Sequence, residues 1–113
     1  MTQENALENK VDLYFTYFSN KNLEQLIKLF ADKILLRDWE IEELGKNNVT
    51  KAFSNIFNNV DKIEVNCINK SLIGSRAYCE IEIINNSNQI LKVVDIIDFD
   101  KDNLIYSIKA FKG

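Results

Sequence analysis

Tyr14, Asp38 and Asp95 are the side chains here whose types and positions suggest chemistry. Each falls on a stripe of residues that is otherwise apolar. A carboxyl group that faces a core is costly unless it is paired or protonated. The chain has no histidine. Two such carboxyls and a phenol therefore describe a small acid/base site built from Asp and Tyr alone, and the chemistry open to it is proton transfer.

The elements that carry these residues can be read from periodicity. Leu7, Val11, Tyr14 and Phe18 recur at helical spacing, and Phe15 widens the stripe, so the first helix presents Tyr14 inward. The run SNKN breaks it. Asn22 then caps a second helix, with Gln25 three residues on in a variant of the capping box. Leu23, Leu26, Ile27 and Phe30 are its expected buried face. Val49, Ala52, Phe53, Ile56 and Phe57 mark a third helix after Gly45. Between the second and third helices, ILLRDW reads as a short strand. Alternation puts Ile34, Leu36 and Asp38 on one face and Leu35, Arg37 and Trp39 on the other. The acidic run EIEEL reads as a solvated turn.

The second half reads as strands. Residues Ile63 to Ile73 alternate and then slip phase between Cys67 and Leu72, which predicts a bulge. Ala77, Cys79, Ile81 and Ile83 form one apolar face of the next strand. Leu91, Val93, Asp95, Ile97 and Phe99 form that of its successor, and Leu104, Tyr106, Ile108 and Ala110 that of the last. A one-residue slip would expose a whole apolar set, so the faces suggest register. Cys79 should oppose Asp95 across a loop from Asn85 to Gln89. Phe99 should oppose Leu104, Ile97 should oppose Tyr106, and Asp95 should oppose Ile108. Asp95 then has no cation beside it and should carry a raised pKa.

Helices first and antiparallel strands after imply an α+β class, with a curved sheet wrapped around helices. At 113 residues one domain, 1–113, is expected. The net charge is −3 and the lysines are scattered, which argues against nucleic acid as a partner. No apolar stretch is long enough to span a membrane, and the polar start MTQENALENK does not resemble a signal peptide, so a cytoplasmic setting is expected. Cys67 and Cys79 read as small buried hydrophobes, and without histidine a metal site is not expected. Asp98, Asp100 and Asp102 lack the glycine and distal glutamate of a calcium loop and read as a solvated hairpin loop. Tyr78, Val94, Ile96, Ile105 and Phe111 should share the outer sheet face, beside Glu80, Lys92 and Lys109. That much apolar surface predicts a homodimer through the outer face.

The order of elements resembles the nuclear transport factor 2-like superfamily, the cone-shaped, cystatin-like α+β roll shared by SnoaL-like polyketide cyclases and ketosteroid isomerases. The matching text is YFTYFSNKNLEQLIKLFADKILLRDW, then Gly45, Val49 and Phe53 in a G-x-x-x-V-x-x-x-F pattern, then VVDIIDFDKDNLIYSIKAF. Tyr14, Asp38 and Asp95 match the Tyr of the first helix, the catalytic Asp at the end of the first strand and the second Asp of a late strand in the isomerases. The resemblance implies that Asp38 moves a proton, while Tyr14 and a neutral Asp95 hold the enolate oxygen. It also implies a small hydrophobic carbonyl-type ligand, no cofactor, and Phe18, Trp39, Phe53, Phe57 and Tyr106 as ligand-contacting residues. Three features depart from the isomerase pattern, one being a segment from Asp38 to Gly45 that is shorter than expected. Trp39 follows Asp38 where proline is usual, and Phe53 stands near the place of a supporting tyrosine.

Each site residue also has a plainer reading. Tyr14 is then a core tyrosine, Asp38 a strand-end cap, and Asp95 a buried carboxyl satisfied by Tyr14 or Tyr106. Trp39 either covers the pocket or sits in an interface. Two function classes follow: an isomerase- or cyclase-type enzyme, and a non-catalytic binding or interaction module on the same fold. Cavity shape separates them. An enzyme needs an open apolar cavity on which the three groups converge. In a module, Phe15, Phe18, Phe53 and Phe57 would fill that space.

Overall fold

α1 (Gln3–Ser19) turns Leu7, Val11, Tyr14, Phe15 and Phe18 into the core, as their spacing requires. The structure is a computed structural model that describes residues 3–86 and 88–113. The Asn22 side chain accepts from the Gln25 backbone N–H at 3.3 Å and caps α2. That helix is a single turn, Leu23–Leu26, continued by a 3₁₀ turn over Ile27–Leu29. Phe30 does not belong to it. β1 already begins there and runs Phe30–Arg37. Pairing of Phe30 with Ile105 of the last strand overrides the helical spacing.

The EIEEL segment is a strand, not only a turn. β2 (Glu42–Leu44) pairs antiparallel with the end of β1, Leu35 opposite Leu44. It lies at the sheet edge and buries no side chain, so no hydrophobic alternation marks it. α3 (Lys46–Asn59) then buries Val49, Ala52, Phe53 and Phe57. Gly45 precedes it with φ +93° and ψ 146°, a region that an L side chain enters only under strain. A Cβ there would meet nothing within 4 Å, so the cost of Gly45→Ala is purely one of backbone. We expect it to destabilise the fold by about 1–3 kcal/mol in urea unfolding.

β3 (Ile63–Ile73), β4 (Arg76–Asn85), β5 (Ile90–Phe99) and β6 (Ile105–Lys112) complete a six-stranded sheet of order β2-β1-β6-β5-β4-β3. All neighbours are antiparallel except β1 and β6. β3 carries its bulge between Cys67 and Asn69. Cys79 opposes Asp95, and Ile84 pairs with Ile90 across the loop that starts at Asn85.

The β5–β6 register departs from expectation. Phe99 pairs with Ile105, Ile97 with Ile108 and Asp95 with Ala110. The ladder steps from Phe99–Ile105 to Asp98–Ser107 and so skips Tyr106. That extra residue reverses the faces at the start of β6. Tyr106 is 45 % exposed, whereas Ile105 is fully buried and does not belong to the outer face.

Asp98 is likewise no loop residue. It is buried in β5 and receives Arg76 Nε at 2.6 Å and the guanidinium's second nitrogen at 3.1 Å, its register partner on β4. Asp100 builds the turn, accepting from the N–H groups of Asp102 and Leu104. α1 packs on β3 and α3 on β1. Between them lies an aromatic cluster in which Phe18 and Phe53 meet edge to face at 6.0 Å. No helix among the described residues is long and apolar enough to cross a membrane.

Candidate active site

Helices and inner sheet face leave a cavity of about 240 Å³, and Tyr14, Asp38 and Asp95 all line it. The three groups come from α1, from the residue after β1 and from the middle of β5. The packing of helix on sheet brings them together.

Asp38 is held by its own loop. Its Oδ1 accepts the backbone N–H of Glu40 at 2.7 Å and of Ile41 at 2.6 Å, and its own N–H donates to the Ile41 carbonyl at 2.8 Å. These bonds fix the carboxylate where β1 stops. No described residue hydrogen-bonds its Oδ2. The strand-end capping role is therefore real, and it leaves one carboxylate oxygen for the cavity.

Asp95 is 5 % exposed and sits between Cys79 and Ala110. Burial, and secondarily the charge of Asp38, push its pKa from 3.8 up to about 7. Tyr14 is 4 % exposed. Its phenol is raised well above 10, first by burial and then by Asp95 and Cys79. Tyr14 thus stays a hydrogen-bond donor at any physiological pH. Neither the Tyr14 hydroxyl nor the Asp95 carboxyl hydrogen-bonds a described residue. The plainer reading of Asp95, satisfied by Tyr14 or Tyr106, is not what the structure holds.

Cys79 lies beside Asp95 and its thiol is pushed up to about 12, mainly by burial. Cys67 pairs with the buried Ile81 but lies on the edge strand β3, and it is exposed rather than buried. The folded protein at pH 8 should therefore take up one iodoacetamide, at Cys67, and the unfolded protein two. Intact-mass spectrometry reads this directly.

The aromatic residues expected at a ligand divide between the cavity and its surroundings. Phe18, Phe53 and Trp39 line the cavity. Phe57 does not; it is buried behind them, its ring 5.5 Å from that of Phe18. Tyr106 does not either, since the skipped position in β6 turns it to solvent. Trp39 does not oppose Asp38, because β1 ends at Arg37 and alternation ends with it. It is 41 % exposed at the cavity opening, with the Lys112 ammonium 5.9 Å from its ring. Leu36 and Ile108 also line the cavity, and alternation does place them on the faces of Asp38 and Asp95. Glu40 and Ile41 line it too, but they lie in the run read as a solvated turn, where no periodicity marks them. No three Cys, Asp or Glu side chains among the described residues are grouped to hold a metal ion.

No protein-family model matches the chain, and no curated protein matches it. Solved structures do. An NTF2-like protein of unknown function from Cytophaga hutchinsonii aligns with TM-score 0.80 at 10 % identity, over 95 % of this chain and 89 % of that one. A candidate isomerase of the SnoaL-like family from Agrobacterium tumefaciens aligns with TM-score 0.80 at 12 % identity, over 100 % and 99 %. SalBIII is an epoxide hydrolase/cyclase-like enzyme with a role in pyran ring formation in the polyether salinomycin. It aligns with TM-score 0.83 at 13 % identity, over 100 % and 95 %. The chain has the nuclear transport factor 2-like fold, the α+β cone that it shares with SnoaL-like proteins.

Proposed function

We propose that this protein binds a small apolar carbonyl compound and shifts a proton beside the carbonyl through an enolate. The observation that carries this is the convergence of Tyr14, Asp38 and Asp95 on one open cavity that Phe18 and Phe53 line but do not fill. Asp38 takes the proton and returns it. Tyr14 and protonated Asp95 donate to the oxygen as it becomes negative. In this low-dielectric setting fixed donors are worth more than in water. A pKa of about 7 keeps a large share of Asp95 protonated at neutral pH.

The test is twofold. 2-Naphthol, a phenolic stand-in for the enolate, should bind and change the fluorescence of Trp39, the one tryptophan. Tyr14→Phe should weaken that binding by about 1–3 kcal/mol for the lost donor. Catalysis is read as deuterium uptake from D₂O at the carbon beside the carbonyl of a cyclic ketone, followed by NMR. Naphthol binding without enhanced exchange would leave a binding module. Without naphthol binding, the reading fails.

The outer face supports a second, separate proposal, a homodimer. Tyr78, Val94 and Phe111 remain between 37 % and 48 % exposed there. Light scattering that shows only monomer at roughly tens of micromolar would remove it.

A further inference from the structure

The charges and the volume of the cavity narrow the ligand class. This rests on the reading of the cavity as a ligand site. Three carboxyl groups line it, Asp38, Glu40 and Asp95, and no lysine or arginine does among the described residues. The nearby ammonium of Lys112 lies over the Trp39 ring at the opening. A ligand carboxylate or phosphate entering here would lose its water, find no cation and meet the charge of Asp38. Desolvation and Coulomb repulsion both oppose it.

A ligand ammonium fares no better at the inner end. Tyr14 and protonated Asp95 offer hydrogens there and require an acceptor, which an ammonium lacks. Asp38 Oδ1 is committed to two backbone N–H groups while its Oδ2 stays open to the cavity, so discrimination against an ammonium falls to Tyr14 and Asp95 alone. The fit is to a neutral oxygen acceptor.

Volume sets the size. An apolar cavity of about 150 Å³ takes up one benzene, with its six carbons. At the same packing, the 240 Å³ cavity encloses about ten non-hydrogen atoms. That is two fused rings. The aliphatic lining of Leu36, Ile56, Ile83, Leu91 and Ile108 suits a hydrocarbon skeleton. A four-ring skeleton would leave about half of its atoms beyond Trp39, where they add little.

We propose that the site selects an uncharged ketone of one or two fused rings and rejects carboxylates, amines and larger polycycles. Asp38 is the residue that excludes anions.

The test uses one skeleton in three charge states, 2-tetralone, tetralin-2-carboxylate and 2-aminotetralin, with a four-ring steroid enone as the size probe. Calorimetric titration of the full chain should show 2-tetralone binding at least about tenfold more tightly than the carboxylate or the amine. The steroid should bind no more tightly than 2-tetralone. In Asp38→Asn, which keeps an oxygen for the Glu40 and Ile41 N–H groups, the gap between ketone and carboxylate should close several-fold, with an unchanged thermal melt.

Carboxylate or amine binding as well as the ketone overturns the charge rule and leaves the pocket reading standing. A steroid that binds tenfold more tightly overturns the size rule. An unchanged gap in Asp38→Asn removes Asp38 as the anion filter. If none of the four binds, this proposal and the ligand-site reading fall together.

Discussion

Asp38→Asn should slow deuterium exchange into 2-tetralone by about 10²–10⁴-fold, the usual contribution of a positioned general base. The choice of Asn matters. Asp38 Oδ1 accepts two backbone N–H groups, and the amide oxygen of Asn can keep both. Loop geometry and cavity shape should survive while proton-accepting capacity is lost. 2-Naphthol binding should therefore persist, because the donors to its oxygen are Tyr14 and Asp95. Asp38→Ala is a poorer probe, since it frees the Glu40 and Ile41 N–H groups and lets Trp39 move. An exchange rate in Asp38→Asn equal to that of the unmodified protein would show that Asp38 is not the base. Loss of naphthol binding together with exchange would show instead that Asp38 only shapes the loop.

The residues legible in the sequence were those whose neighbours alternate or repeat. Asp95 could be placed because it interrupts a long period-two face, and its pairing with Cys79 followed from matching two such faces. Tyr14 was legible for the same reason in a helix. The failures cluster where periodicity has no physical basis. β2 is a three-residue edge strand with no buried face. Its backbone pairs with β1 whatever its side chains are, so nothing in EIEEL announces it. Tyr106 departs from the expected face because the ladder opens at Ile105 rather than Leu104 and then skips one residue, which together shift the remaining pairs by two, and turn chemistry at Asp100 does not encode those steps. Alternation continued past β1 would set Trp39 opposite Asp38, but β1 stops at Arg37. The carboxylate of Asp38 itself ends the strand by capturing the N–H groups of Glu40 and Ile41. Phe57 has the spacing of a buried residue and is one. Spacing cannot tell the wall of a cavity from the layer behind it.

Asp95→Asn should make the protein more stable at pH 8 but not at pH 3. The sign follows from linkage. In the unfolded chain the carboxyl titrates near 3.8, and in the folded protein at about 7. Below about pH 4 both states hold the proton and no penalty arises. Between about pH 4 and 7 the unfolded chain releases it while the folded protein keeps it, so stability falls as pH rises. Above about pH 7 both states are ionised, and the penalty levels off at roughly 3 pK units, about 4 kcal/mol. Asn carries no such charge, so the difference between the two proteins isolates Asp95 from every other carboxylate. In urea unfolding the variant should gain about 3–4 kcal/mol over the unmodified protein at pH 8, about 1–2 kcal/mol at pH 5 and close to nothing at pH 3. Because the charge of Asp38 also raises Asp95, Asp38→Asn should move the midpoint of this pH dependence downward. A pH-independent difference would mean that Asp95 meets water in the folded protein. It would then be a carboxylate at neutral pH, unable to donate to an enolate oxygen, and the chemistry proposed for the cavity would lose its second donor.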